Sequence, residues 1–181
     1  MKLLFIFLLL ISCSTNNFSK SFQNDLLLRL FPKNSTIIQL LQIKRNDQVH
    51  QYQAIIKNQN NLKISILDQF GLEVFNLTVD SDGLQYSSII PEFKVHFLEI
   101  VLTDMLAVYG KKDVLYKDKF KSYSIVDTEF ERRIKKNKNL ITTIYYETKD
   151  RWNSKIKIVQ HFFGYEIEVI PLRVNNGNIH K

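Results

Sequence analysis

Few residues in this chain have the type and spacing to do chemistry. Its four histidines are His50, His96, His161 and His180, and no two stand at a metal-ligating His-x-x-x-His spacing. There is no Gly-x-Ser-x-Gly elbow to expose a nucleophilic serine. His161 lies among strand-patterned residues and reads as a hydrogen-bonded sheet histidine. Asp104 interrupts an apolar helical stretch. A carboxylate there either faces water or pins a tyrosine or backbone group, because burying it alone is costly. The run Arg132-Arg133-Ile134-Lys135-Lys136-Asn137-Lys138 is the densest charge. It is either a solvated strand end and turn or a contact for an anionic head group, through Arg132, Arg133, Lys135 and Lys136. The sole cysteine, Cys13, excludes an intramolecular disulfide and any multi-cysteine metal site. No cofactor, metal or catalytic residue is expected.

Cys13 stands where a single thiol is useful. Met1 and Lys2 form a short positive region, and Leu3 to Leu10 (LLFIFLLL) an apolar one. That stretch is shorter than the roughly 20 residues of a permanent membrane span, so 1–12 reads as a cleaved signal peptide. Leu10-Ile11-Ser12-Cys13 is similar to the lipobox of bacterial lipoproteins, with Cys13 as the lipidated residue carrying diacylglyceryl and an acyl chain such as palmitate. Two or more chains give stable anchoring at about 0.8 kcal/mol per buried methylene. Removing Lys2 would take the side-chain charge from +7 to +6. Residues 13–21 then form a lipidated cysteine and a polar, flexible tether.

The body, 22–174, reads as one domain, followed by a polar tail at 175–181. Short runs alternate apolar and polar residues between Asn, Asp and Gly turn signals. Examples are Leu62, Ile64 and Ile66 against Lys63 and Ser65, and Phe75, Leu77 and Val79 against Asn76 and Thr78. After Pro91 the period becomes helical, with Phe93, Phe97, Ile100, Val101, Met105 and Val108 on one stripe ending near Gly110. Strand patterns return at 122–134, 140–148, 156–163 and 165–172. The expectation is a mainly β (α+β) domain: a curved antiparallel sheet covered by helix.

The chain has 181 residues, 45% of them hydrophobic, and a net charge of +7. That excludes a disordered chain. The basic surplus suits anionic lipid or no specific partner, and nucleic acid is not expected of an exported protein. A curved sheet with one strongly apolar helix can pack in two ways. The core fills, which suits a scaffold or interaction lipoprotein, or a cavity for an apolar chain remains. The faces selected for such a cavity are Tyr52, Ile56, Ile64, Ile66, Phe75, Leu77, Phe97, Val101, Met105 and Tyr146.

Two segments, 64–110 and 156–172, resemble a LolB-like family of bacterial lipoproteins found among genes for aryl polyene lipids. The residues carrying the resemblance are Asp68-Gln69-Phe70-Gly71, Asp82-Gly83, Leu102-Thr103-Asp104-Met105-Leu106 with Tyr109, His161, and Gly164-Tyr165. Gly110-Lys111 departs from the aromatic-Pro ending usual there. The resemblance implies a LolA/LolB-like half-barrel capped by helices, with an apolar concave face. It further implies a monomer on the periplasmic face of the outer membrane, which binds a lipid or acyl or polyene chain and assists its insertion. A periplasmic carrier protein would deliver the cargo. Phe70 matches the exposed apolar residue of the membrane-insertion loop; on its own, the Asp-Gln-Phe-Gly context reads as a turn.

Overall fold

The computed structural model describes residues 24–81, 83–89, 95–111 and 122–176, with the backbone alone for 24–26, 95–101 and 176. A short helix, α1 (Asn24–Leu30), precedes five strands: β1 (Ser35–Arg45), β2 (Gln48–Asn58), β3 (Leu62–Leu67), β4 (Glu73–Asp80) and β5 (Gly83–Ser88). Helix α2 (Val95–Tyr109) follows. Five more strands complete the chain: β6 (Tyr123–Asp127), β7 (Glu131–Lys136), β8 (Asn139–Tyr146), β9 (Ile156–Gln160) and β10 (Tyr165–Asn176). They form one antiparallel sheet in the order β5-β4-β3-β2-β1-β10-β9-β8-β7-β6. The sheet is curved and not closed, so the fold is the mainly β, open half-barrel type expected.

Two five-strand meanders meet where the last strand pairs with the first. Tight turns keep each meander antiparallel. Asn46-Asp47 and Asn137-Lys138 both have positive φ at both positions, the twist that matches flanking strands. Thr36–Lys44 of β1 pair with Glu166–Asn175 of β10, with an irregularity at Ile38/Gln39 where Pro171 faces Gln39. A proline within a strand is tolerated at such a bulge, because it has no N–H to give the ladder.

Two boundaries differ from the sequence expectation. The run 122–134 is two strands, not one. Thr128 reverses the chain, its N–H donating to the Glu131 carbonyl while its hydroxyl accepts the Glu131 N–H. The polar tail does not begin at 175, because β10 continues to Asn176 opposite Ser35.

Period-2 patterning aligns apolar residues in rows across the concave face. One row is Ile37, Ile56, Ile64 and Leu77; the next is Gln39, Ala54, Ile66 and Phe75. Helix α2 packs Leu102, Leu106, Ala107 and Val108 into the same core. Its last carbonyls, which lack helical partners, are met by side chains. Arg132 donates to the carbonyls of Ala107 and Gly110, and the Tyr146 hydroxyl donates to that of Val108 at 2.8 Å. Arg132 is fully buried and also pairs with Asp127 at 2.6 Å. Arg151 reaches the same carboxylate at 3.0 Å and lies over the Tyr146 ring. Burial alone would raise the Asp127 pKa, but the hydrogen bonds and charges of Arg132 and Arg151 outweigh it and hold the carboxyl below its usual value.

Beside this junction Tyr109 stacks on Trp152, with centroids 3.8 Å apart, and Phe31 packs against both. Buried Asn58 donates to the carbonyls of Leu28 and Phe31 and so ties the end of α1 to β2.

Candidate functional site

Between α2 and the concave rows lies a cavity of about 210 Å³. Its wall combines the inward faces of β1, β2, β3, β4, β9 and β10 with Leu102, Met105 and Val108 of α2. From the row of Arg45 to the row of Ile37 and Ile56 is eight residues along β1. At about 3.3 Å per residue the wall is about 26 Å long. The volume falls below the roughly 300–1,000 Å³ of sites that enclose a whole small ligand. The cavity, a slot between helix and sheet, has room for part of one apolar chain.

The slot is closed at one end and open at the other. Ile56, Ile64 and Leu77 are buried at the closed end, where Tyr109 stands against Phe31. Ile43, Tyr165 and Ile167 are half-exposed, and Arg45 is exposed, so the mouth lies at the β1–β2 and β9–β10 turns. The strand connectivity brings the β3–β4 and β7–β8 turns to this same end of the sheet.

Four polar side chains of the wall are held in hydrogen bonds. Gln39 donates to the Tyr109 hydroxyl at 2.9 Å, and burial raises the pKa of that phenol. Near the mouth, Asp104 accepts from Gln160 Nε2 at 3.0 Å and from the Tyr165 hydroxyl. Burial pushes the Asp104 carboxyl up to about 6, although both hydrogen bonds pull it down. Burial, then the charge of Asp104, raises the Tyr165 phenol.

Of the residues selected from sequence for a cavity, Tyr52, Ile56, Ile64, Ile66, Phe75, Leu77 and Met105 line it. Phe97 and Val101 fall on the turns of α2 whose side chains lie outside the described residues, and Cys13 lies outside them altogether. Tyr146 does not line the cavity. It points inward as its period requires, but its hydroxyl is spent on the end of α2.

The basic run also needs correction. Arg132 cannot meet a head group, because alternation turns it inward with Ile134 and buries it under α2. Arg133 is exposed but paired with Glu131 at 2.6 Å. Lys136 is exposed, 5.3 Å from the centre of the Tyr123 ring, and Lys135 is half-buried. His161 is exposed in the β9–β10 turn, its Nε2 3.0 Å from the Thr143 hydroxyl.

Phe70 is 85% exposed. Asp68 builds the turn that holds it: one carboxylate oxygen accepts from the N–H groups of Phe70 and Leu72, each at 2.9 Å. Gly71 takes φ +78°, where a side chain would be strained. The Asp-x-Phe-Gly spacing thus presents an aromatic ring on a stiff turn.

Sequence reasoning missed the contribution of β1 and β10 to the wall: Leu41, Ile43, Arg45, Tyr165, Ile167 and Val169. The inward face of β1 was legible as Gln39, Leu41 and Ile43. Its place beside β10 depends on a pairing between opposite ends of the chain.

No curated protein matches this sequence. Among solved structures the chain is similar to a LolA superfamily protein from Nitrosomonas europaea, at 11% identity and a TM-score of 0.42, covering 84% of this chain and 92% of that one. It is also similar to a DUF1329 family protein from Desulfovibrio piger, at 10% identity and a TM-score of 0.38, covering 87% and 93%. Residues 36–173 match the family model described as protein of unknown function (DUF3261). That match spans well over half of the chain, and the protein belongs to the DUF3261 family.

Proposed function

We propose that this protein is a non-catalytic carrier that takes one lipid, acyl or polyene chain into the slot and passes it to the outer membrane. The observation that carries the proposal is the apolar cavity between α2 and the sheet, its wall buried toward the α1 end and more exposed toward the other. An apolar chain leaving water for such a wall gains about 25 cal/mol per Å² buried. A bilayer interior is equally apolar, so moving the chain onward costs little. The anchor would be lipidated Cys13 on the periplasmic face, with residues 14–21 as tether. Phe70 and Leu72, exposed at the open end of the sheet, would touch the membrane, and Lys135 and Lys136 would meet anionic head groups. A periplasmic carrier would deliver the cargo, and an aryl polyene is one candidate for it. The wall's polar side chains Gln39, Asp104, Tyr109 and Tyr165 are engaged in hydrogen bonds within the protein, which supports transport over catalysis.

Native mass spectrometry with lipid extraction on purified residues 14–181 tests this. That span lacks Cys13, so any lipid found is cargo. One bound chain per protein is expected. A protein that stays empty after incubation with lipids would overturn the carrier and favour a scaffold lipoprotein.

A further inference from the structure

The slot is apolar over most of its length, but beside its mouth stands a buried acceptor, Gln160 Oε1, without a partner among the described residues. Asp104 and Gln160 are 7% and 5% exposed. Among the described residues each Asp104 oxygen receives one hydrogen bond, although an ionised carboxylate can take about four. Gln160 Oε1 is buried with no partner at all among the described residues. Gln160 shares its strand face with Ile158, a residue of the cavity wall, and its Nε2 bonds Asp104, another. Buried acceptors are normally satisfied, and an orphan is costly to keep. What the site lacks is a donor.

We infer that Asp104, Gln160 and Tyr165 form a polar seat at the mouth for a hydrogen-bond-donating group, a hydroxyl or an amide N–H, on the chain held in the slot. This rests on the carrier reading and adds the chemistry of the cargo's head. A carboxylate or phosphate fits the seat poorly. It brings acceptors where acceptors are in surplus, and a negative charge beside Asp104. The nearby cation, Arg45, is exposed at the rim, so an anionic head would stay in water there.

The test is competitive displacement of an apolar fluorophore from residues 14–181 by four twelve-carbon probes: dodecane, methyl undecyl ether, 1-dodecanol and dodecanoate. The wild type is expected to bind the alcohol about three- to tenfold more tightly than the ether, the gain of one net hydrogen bond. In a double variant, Asp104→Leu with Gln160→Met, which removes both acceptors, that ratio should fall toward one. In Tyr165→Phe, which frees one more Asp104 acceptor, the ratio should hold or rise, so the inference survives if one variant folds poorly. Equal binding of alcohol and ether by the wild type would overturn the seat, as would a preference that persists in the double variant. Dodecanoate binding tightest, with the advantage lost in Arg45→Gln, would replace the seat by an anion contact at the rim. Failure of every probe, dodecane included, would remove the carrier reading and the seat with it.

Discussion

Asp104 makes a quantitative test of how dry the slot's mouth is. Burial lifts its pKa from 3.8 to about 6. The folded protein therefore holds this proton more tightly than the unfolded chain does. The stability linked to it is fully present below about pH 4 and is lost as the pH rises through about 6. At about 1.36 kcal/mol per pH unit, the rise of about two units corresponds to about 3 kcal/mol. The perturbation is Asp104→Asn, which keeps the shape and removes the charge. The assay is urea unfolding of both proteins at pH 4 and pH 7.5. Other titrating groups, including Asp127 with its lowered pKa, are common to both proteins, so the difference between them isolates Asp104. Tyr165 from β10, Arg45 from β1 and Tyr109 on α2 are likewise retained. Relative to the wild type, Asp104→Asn should gain about 3 kcal/mol on going from pH 4 to pH 7.5. A difference that stays flat across that range would refute the desolvation argument and show the mouth to be wet.

Arg132→Met should cost about 3–5 kcal/mol by urea unfolding, because it leaves Asp127 and two α2 carbonyls without their buried partner; a loss under about 1 kcal/mol would show that Arg151 alone suffices. Ala54→Leu places a larger side chain in the wall and should abolish retained lipid in native mass spectrometry while the unfolding midpoint holds or rises. Full lipid occupancy in that variant would move the cargo elsewhere. Phe70→Glu should slow chain delivery to liposomes without emptying the slot, and unchanged delivery would remove Phe70 from the mechanism. Affinity for anionic vesicles should fall with added salt over the range in which screening shortens to about 8 Å, whereas a flat response would exclude Lys135 and Lys136.

What local pattern encodes was readable before the structure. Alternation at Ile64, Ile66, Phe75 and Leu77 marked the inward face because residues two apart share a face. Asp68 and Gly71 marked a turn because each solves a local backbone problem, a carboxylate that accepts amide protons and a residue free to take positive φ. Arg132 escaped notice because a run of cations was read as one surface, although the same alternation sets it beside Ile134 and opposite Arg133. Tyr146 shows the limit of that rule. Period 2 says inward but not beneath which part of a helix. The pairing of Leu41 with Val169 joins residues far apart in the chain, and nothing local to either announces the other. Whether the space between the faces is filled depends on how α2 lies across the sheet, a tertiary outcome that no single segment specifies.

A slot closed at one end works as a ruler. If a chain enters tail first, each methylene that passes Tyr165 adds about 0.8 kcal/mol, or about fourfold in affinity. That climb stops when the tail reaches the stacked rings of Tyr109 and Trp152 with Phe31 behind them. Carbons beyond that length remain outside, in water while the protein is free and in lipid once it is docked. On the proposed function, longer chains would gain nothing in solution but would be drawn out more readily at the membrane. The end beside Tyr109, Trp152 and Phe31 would thus set both which chains are carried and when they are let go.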